Sequence, residues 1–285
     1  MVLVGWLAAV SAAPASAQGP AGDNPAPAKA ADAGENEVPL RYVESDGEWP
    51  HEAVTTYFHV YHKDSKRLVC QAARVAERTR AAMQRKWFGT PCKWRYRCEI
   101  YLHANSEEFC RDLGLPGATP GYSTFRRHED GYLTRRIDLN CSDLSMLVAV
   151  LPHEVTHTVL AGCFGDRPVP RWADEGMAVL TEPVDKIDRH LHTLPEHRDE
   201  LFGLQQLMEM DEYPDPQYVG VFYAESVALV KFLVQEKGAR IFTHFLREGM
   251  EDGYESALRN HYGYRSFADL EDRWNQQVFG VAAAP

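Results

Sequence analysis

Residues 151–162 read LPHEVTHTVLAG, and this stretch constrains the fold more than any other part of the chain. His153 and His157 stand four positions apart, so in an α-helix their side chains lie one above the other on the same face. Two imidazoles held this way can offer nitrogens to a single ion. Glu154 then sits beside that ion, where a carboxylate can take a proton from a water. Histidines four apart also occur on ordinary helix surfaces, so a metal reading requires a third protein ligand. The helix is predicted to begin at Ser142 or later, with Asp143 near its positive end, and to stop at Gly162. Pro152 lacks an N–H and crowds the preceding turn, so the helix either kinks just before His153 or restarts there.

The chain has 285 residues, 45% of them hydrophobic and 25% charged, enough for one large domain or two lobes with a sizeable core. Its net charge of −11 and the lack of any basic stripe argue against a nucleic-acid partner. The opening MVLVGWLAAVSAAPASAQ is an apolar run ending in the small-x-small pattern Ala15-Ser16-Ala17, so residues 1–17 read as a cleaved signal peptide, although no Lys or Arg precedes the run. Gly5, Ser11 and Pro14 interrupt the run, and no stable membrane span is expected. The protein is thus expected to be secreted or periplasmic. Residues 18–41, rich in Pro, Ala and Gly without apolar periodicity, read as a flexible linker, and the folded part as 42–285. Six cysteines in an exported chain suggest at least one disulfide, with Cys92 and Cys98 close enough in sequence to close a small loop; buried free thiols are the alternative.

Downstream, TTYFHVYH alternates like a strand, and RLVCQAARVAERTRAAMQRKWFG carries helical periodicity to a glycine stop. RCEIYLHA reads as a second strand and SEEFCRDLG as a short helix starting at Ser106. After a Gly/Pro-rich loop at 114–121, GYLTRRIDLNC reads as a third strand.

A third ligand is suggested by VPRWADEGMAVLTEP at 169–183, where apolar residues recur around the adjacent carboxylates Asp174 and Glu175 on a helix entered through Pro170. HEVTH followed by W-A-D-E-G-M-A resembles the glutamate-zincin pattern. Glu175 lies 18 positions after His157, an interval slightly shorter than in thermolysin and the related zinc aminopeptidases. The resemblance continues at VFYAESVALVKFLVQEKGARIFTHFL, where Tyr223 occupies the place of a tyrosine that stabilises the oxyanion in that family. Taken singly, Glu175 could be an ordinary helix acid and Tyr223 a core residue. Together the three stretches resemble the peptidase MA-like domain of the gluzincins over roughly residues 50–275.

The resemblance implies an α+β, zincin-like fold: a small N-terminal mixed sheet with helices and the HExxH helix, then a mainly helical C-terminal lobe, with lobes at about 42–162 and 163–285. It also implies one Zn²⁺ per chain on His153, His157 and Glu175, Glu154 as general base and Tyr223 as oxyanion donor. The implied function is an exported zinc peptidase acting on peptides or proteins. The G-x-M-E-N signature of aminopeptidases is missing, which favours an endopeptidase. Asp174 and Glu182 are weak candidates for the carboxylates that usually orient zinc-bound histidines. Substrate is expected to lie extended along an edge strand, with TRRIDLN the candidate. A catalytically silent zinc-binding interaction protein and a hydrolase of non-peptide substrates are the other classes the sequence allows.

Overall fold

Residues 38–115, 119–129, 131, 133–142, 145–165 and 167–280 are described by a computed structural model. The predicted signal peptide, residues 18–37 of the predicted linker, and Asp143 lie outside the described residues.

The elements in chain order are β1 (Arg41–Glu44), β2 (His51–Val54), β3 (Phe58–His62), α1 (Lys66–Met83), β4 (Cys98–His103), α2 (Ser106–Leu113), β5 (Gly121–Arg127) and β6 (Leu133–Asn140), then α3 (Leu151–Cys163), α4 (Arg171–Val179), α5 (Val184–Thr193), α6 (Leu204–Glu209), α7 (Val219–Lys237), α8 (Ala239–Asp252), α9 (Tyr254–Ala257) and α10 (Phe267–Phe279). The fold is α+β, with one six-stranded mixed sheet and a C-terminal part that is mainly helical. The strand order is β1-β2-β3-β4-β6-β5. β3, β4 and β6 run parallel, and β5 returns antiparallel on β6 as the outermost strand.

Strand alternation sets the inner face of the sheet. Phe58, Val60, Ile100, Leu102, Ile137 and Leu139 are fully buried there. α1 packs on that face through Val69, Ala72, Ala73 and Ala76, one helical stripe whose small residues permit close approach. Ser65 caps its start by accepting from the Leu68 N–H at 3.2 Å. A second core is helical, built around Trp172, Phe222, Phe242, Leu246 and Trp274. Burying each such side chain contributes roughly 2–3 kcal/mol relative to exposure.

α3 contributes to both cores: Val155 and Val159 pack with the sheet and Leu160 with the helices. Residues 151–160 are therefore buried on every side. By length and apolarity Met146–Cys163 and Pro216–Lys237 could cross a membrane, but 72% and 67% of them are buried within the chain, as core helices are.

The structure answers the question raised by Pro152. A π-wound turn at Met146–Val150 runs into α3 at Leu151 with Val150 and Leu151 both in helical conformation, so the chain does not restart at Pro152: the change from π to α winding just before it accommodates the missing N–H. Gly162 does not stop the helix, which runs to Cys163. A Cβ at Gly162 would meet Arg135 Nη2 at 2.6 Å and Trp94 Nε1 at 3.2 Å, so the glycine serves close approach. All six cysteines are free thiols. The small loop predicted between Cys92 and Cys98 is not closed, because Cys98 is fully buried on the inner face of β4.

Candidate metal centre

α3 presents His153, Glu154 and His157 to α4, which is entered through Pro170 and carries Asp174 and Glu175. Gly176, next in sequence, lets α4 lie directly on α7: a Cβ there would stand 2.6 Å from Ser226 O and 2.5 Å from Val230 Cγ2. The glycine of D-E-G therefore sets how near Glu175 comes to the histidines.

Glu175 Oε2 is 3.6 Å from His153 Nε2 and 3.7 Å from His157 Nε2. The two rings stand edge to face at 4.8 Å, and one donor atom from each of the three residues lies within 4.8 Å of the others. Nitrogen and oxygen ligands at 2.0–2.1 Å from a tetrahedral zinc are separated by about 3.3 Å. The observed separations are longer than hydrogen bonds and a few tenths of an ångström above that edge, so the donors fit one shared ion.

Each imidazole is held from behind. His153 Nδ1 lies 2.7 Å from Glu182 Oε1, and His157 Nδ1 lies 2.9 Å from Asp174 Oδ1. An ionised carboxylate can only accept, so the Nδ1 atoms carry the hydrogens and the Nε2 lone pairs point toward Glu175. Asp174 and Glu175 are thus divided between the far and near sides of His157. This also fills the two orienting positions that the sequence suggested only weakly, with Asp174 and Glu182.

The electrostatics suit a cation. Burial of the His153 ring opposes its charge, but Glu175, Glu182 and Glu154 outweigh this and hold its pKa well above the ordinary value. Burial likewise opposes charge on His157, and Asp174 and Glu175 raise its pKa. Burial raises the pKa of Glu154, with His157, His153 and Ser123 pulling the other way. Four carboxylates gathered on two buried imidazoles form a negative excess that a divalent ion would neutralise.

Three features were not read from the sequence. Ser123 on β5 donates its hydroxyl to Glu154 Oε2. Gly121, at the head of the same strand, brings the backbone so near that a Cβ would lie 2.8 Å from Glu154 Oε1. The free edge beside Glu154 is therefore β5. The strand containing TRRIDLN is interior, paired with β4 on one side and β5 on the other, which corrects the predicted substrate edge. Tyr213, in the segment between α6 and α7, donates its hydroxyl to Glu175 Oε1 and leaves Oε2 toward the histidines.

Tyr223, in the first turns of α7, is 5% exposed. Burial holds its pKa well above the ordinary tyrosine value, reinforced by Glu175 and by Tyr213, to which it is hydrogen-bonded. Its ring lies 6.1 Å from that of His190 on α5. The structure thus brings His153, Glu154, His157, Glu175 and Tyr223 into one buried region.

These features define a zincin-like α+β fold built around a candidate metal centre. The chain belongs to the peptidase MA superfamily, whose sequence pattern matches residues 97–280, from the start of β4 to the end of α10. It is a peptidase-like metallohydrolase, and its class of substrate is peptide or protein. No curated protein sequence matches the chain.

Proposed function

We propose that the protein is an exported zinc endopeptidase in which His153, His157 and Glu175 hold one Zn²⁺, Glu154 is the general base and Tyr223 the oxyanion donor. The observation that carries the metal site is the pair of orienting carboxylates: Glu182 and Asp174 hold both Nδ1 atoms and so turn both Nε2 atoms toward Glu175 Oε2. When bound, zinc supplies Lewis acidity toward water and the scissile carbonyl.

The chain's own groups would do the rest. Glu154 takes the proton of the attacking water and delivers it to the leaving amine, and its burial favours holding that proton between the two events. Ser123 donates to Glu154 Oε2 and so fixes the orientation of the carboxylate. The Tyr223 phenol stays protonated and donates to the oxyanion, which stabilises the transition state selectively. The unpaired side of β5 can accept an extended peptide as a further strand next to Glu154, a mode that requires no free chain terminus and so supports endopeptidase action. Export rests on the apolar N-terminal run and its Ala15-Ser16-Ala17 ending.

A digest of an N-terminally blocked peptide library, with and without chelator, tests this reading. Internal cleavage that chelator abolishes and added zinc restores is expected. Cleavage indifferent to chelator, or none with one zinc bound per chain, would overturn it.

A further inference from the structure

A cationic cavity lies between the β5–β6 hairpin and the C-terminal end of α3, apart from the candidate metal centre. It encloses about 130 Å³, and its wall includes Lys93, Trp94, Arg95, Arg127, Arg135 and Gly162. Four cations around one small cavity stand out in a chain whose net charge is −11.

Arg135, on β6, is the buried member of the group, only 6% exposed. Its Nε donates to Thr158 O at 3.2 Å and its Nη1 to Leu133 O at 3.0 Å, and its guanidinium lies over the Trp94 ring at 4.2 Å. Both acceptors are neutral carbonyls, and no carboxylate among the described residues pairs with it. A buried cation without a counter-charge is costly. Burial lowers its pKa to about 10, and the neighbouring Arg80 adds to the effect.

Two donors meet at Gly162. A Cβ there would stand 2.6 Å from Arg135 Nη2 and 3.2 Å from Trp94 Nε1, so both N–H groups border the space that a side chain would fill. The Trp94 N–H is buried and has no acceptor among the described residues. Arg127 joins the cavity from the hairpin, donating to Gly131 O at 3.0 Å and to Gly165 O just beyond α3.

We propose that this cavity binds a single oxyanion group, a sulfate, phosphate or carboxylate, through Arg135 Nη2 and the Trp94 N–H. The anion supplies the counter-charge that Arg135 lacks and the acceptor that Trp94 lacks. Pockets for drug-sized ligands run to about 300–1,000 Å³, so this one admits a group of a few heavy atoms and no more. Lys93, Arg95 and Arg127 are exposed and draw the anion in through solvent. Binding would hold the β5–β6 hairpin against the end of α3 and so steady the edge strand that flanks Glu154.

The test uses the full chain, stripped of metal by chelator, in equilibrium dialysis against radiolabelled sulfate at an ionic strength fixed with chloride. One sulfate per chain is expected, with a dissociation constant on the order of 1 mM or below. Arg135→Lys should weaken binding at least about tenfold, because an ammonium cannot keep both carbonyls and still offer a further forked N–H. Gly162→Ala, whose methyl would lie between the two donors, should do the same. The double variant Lys93→Gln/Arg95→Gln changes exposed residues only, so it leaves packing intact, and it should weaken binding roughly two- to tenfold. Displacement of sulfate by acetate would assign the site to carboxylates, including those of a peptide; sulfate held against acetate would assign it to free inorganic anions. Retention of sulfate no greater than in a protein-free blank, or wild-type affinity in Arg135→Lys or in the double variant, would overturn the proposal.

Discussion

Gly176→Ala should release the metal without touching a ligand. The new methyl would sit 2.6 Å from Ser226 O and 2.5 Å from Val230 Cγ2. Ordinary contacts begin near 3.5 Å, so α4 must withdraw from α7 by roughly 0.8–1 Å, because the oxygen it meets is backbone and cannot turn aside. Overpacking of this kind costs about 1–3 kcal/mol, or roughly 2–6 °C in melting temperature for a chain of this size. Glu175 moves with α4, and metal sites tolerate displacements of only about 0.2 Å, so zinc affinity should fall at least on the order of tenfold. Melting with chelator present isolates the packing cost, and zinc titration by calorimetry isolates the ligand displacement. Gly121→Ala is the counterpart. Its methyl meets side-chain atoms, Glu154 Oε1 and Val150 Cγ1, both at 2.8 Å. Glu154 can swing away, so zinc should be retained while cleavage falls by about 10², the usual cost of misplacing a catalytic group by about 1 Å. A Gly176→Ala protein that melts like wild type and binds zinc equally well would refute this account of the D-E-G glycine.

Tyr223→Phe should lower kcat by about 10² to 10³ with little change in KM, as steady-state kinetics on a cleaved peptide would show; an unchanged kcat would make Tyr223 a packing residue. Glu182→Gln and Asp174→Asn should each weaken zinc binding by about 10- to 100-fold in competition with a chromogenic chelator, because an amide no longer fixes the imidazole as a carboxylate does. Glu225 is fully buried, and burial raises its pKa to about 7 against the hydrogen bonds from Phe202 and Gly203. The folded state therefore holds a proton that the unfolded state releases near pH 4.5, so folding stability should decline as pH rises from about 4.5 to about 7, by roughly 3 kcal/mol in all. Denaturant melts of Glu225→Gln should lack that decline, and equal pH profiles for the two proteins would exclude the mechanism.

The sequence made the centre legible where its chemistry is local. His153, Glu154 and His157 share one helix, so their geometry follows from spacing alone. Glu175 and the fold class came from the resemblance to the gluzincin pattern, carried by W-A-D-E-G-M-A after HEVTH. The resemblance singled out Glu175 of the two adjacent acids; what the third dimension adds is that Asp174 and Glu175 face His157 from opposite sides of its ring. Tyr213 had no sequence signal: it reaches Glu175 across 38 positions from a segment outside any helix or strand. Ser123 was hidden because β5 is an edge strand whose GYSTFRR run leads from a Gly/Pro-rich loop into charged residues. The polar run TRRIDLN suggested an exposed edge, but its polar groups are engaged inside the sheet. Arg135 stacks on Trp94 at 4.2 Å, and Asp138 accepts from His103 and Arg136.

Zinc content per chain and peptide cleavage, measured together in Glu154→Gln and Glu175→Gln, test the central claim most directly. Glu154→Gln keeps all three proposed ligands and loses the base, so it should carry one zinc per chain and cleave nothing measurable. Glu175→Gln replaces a charged ligand with an amide, so it should lose zinc or hold it weakly and melt at the temperature of the metal-free chain. Zinc bound equally in both variants, cleavage by Glu154→Gln at the wild-type rate, or a wild-type chain that takes up no zinc on titration would contradict the assignment of His153, His157, Glu175 and Glu154.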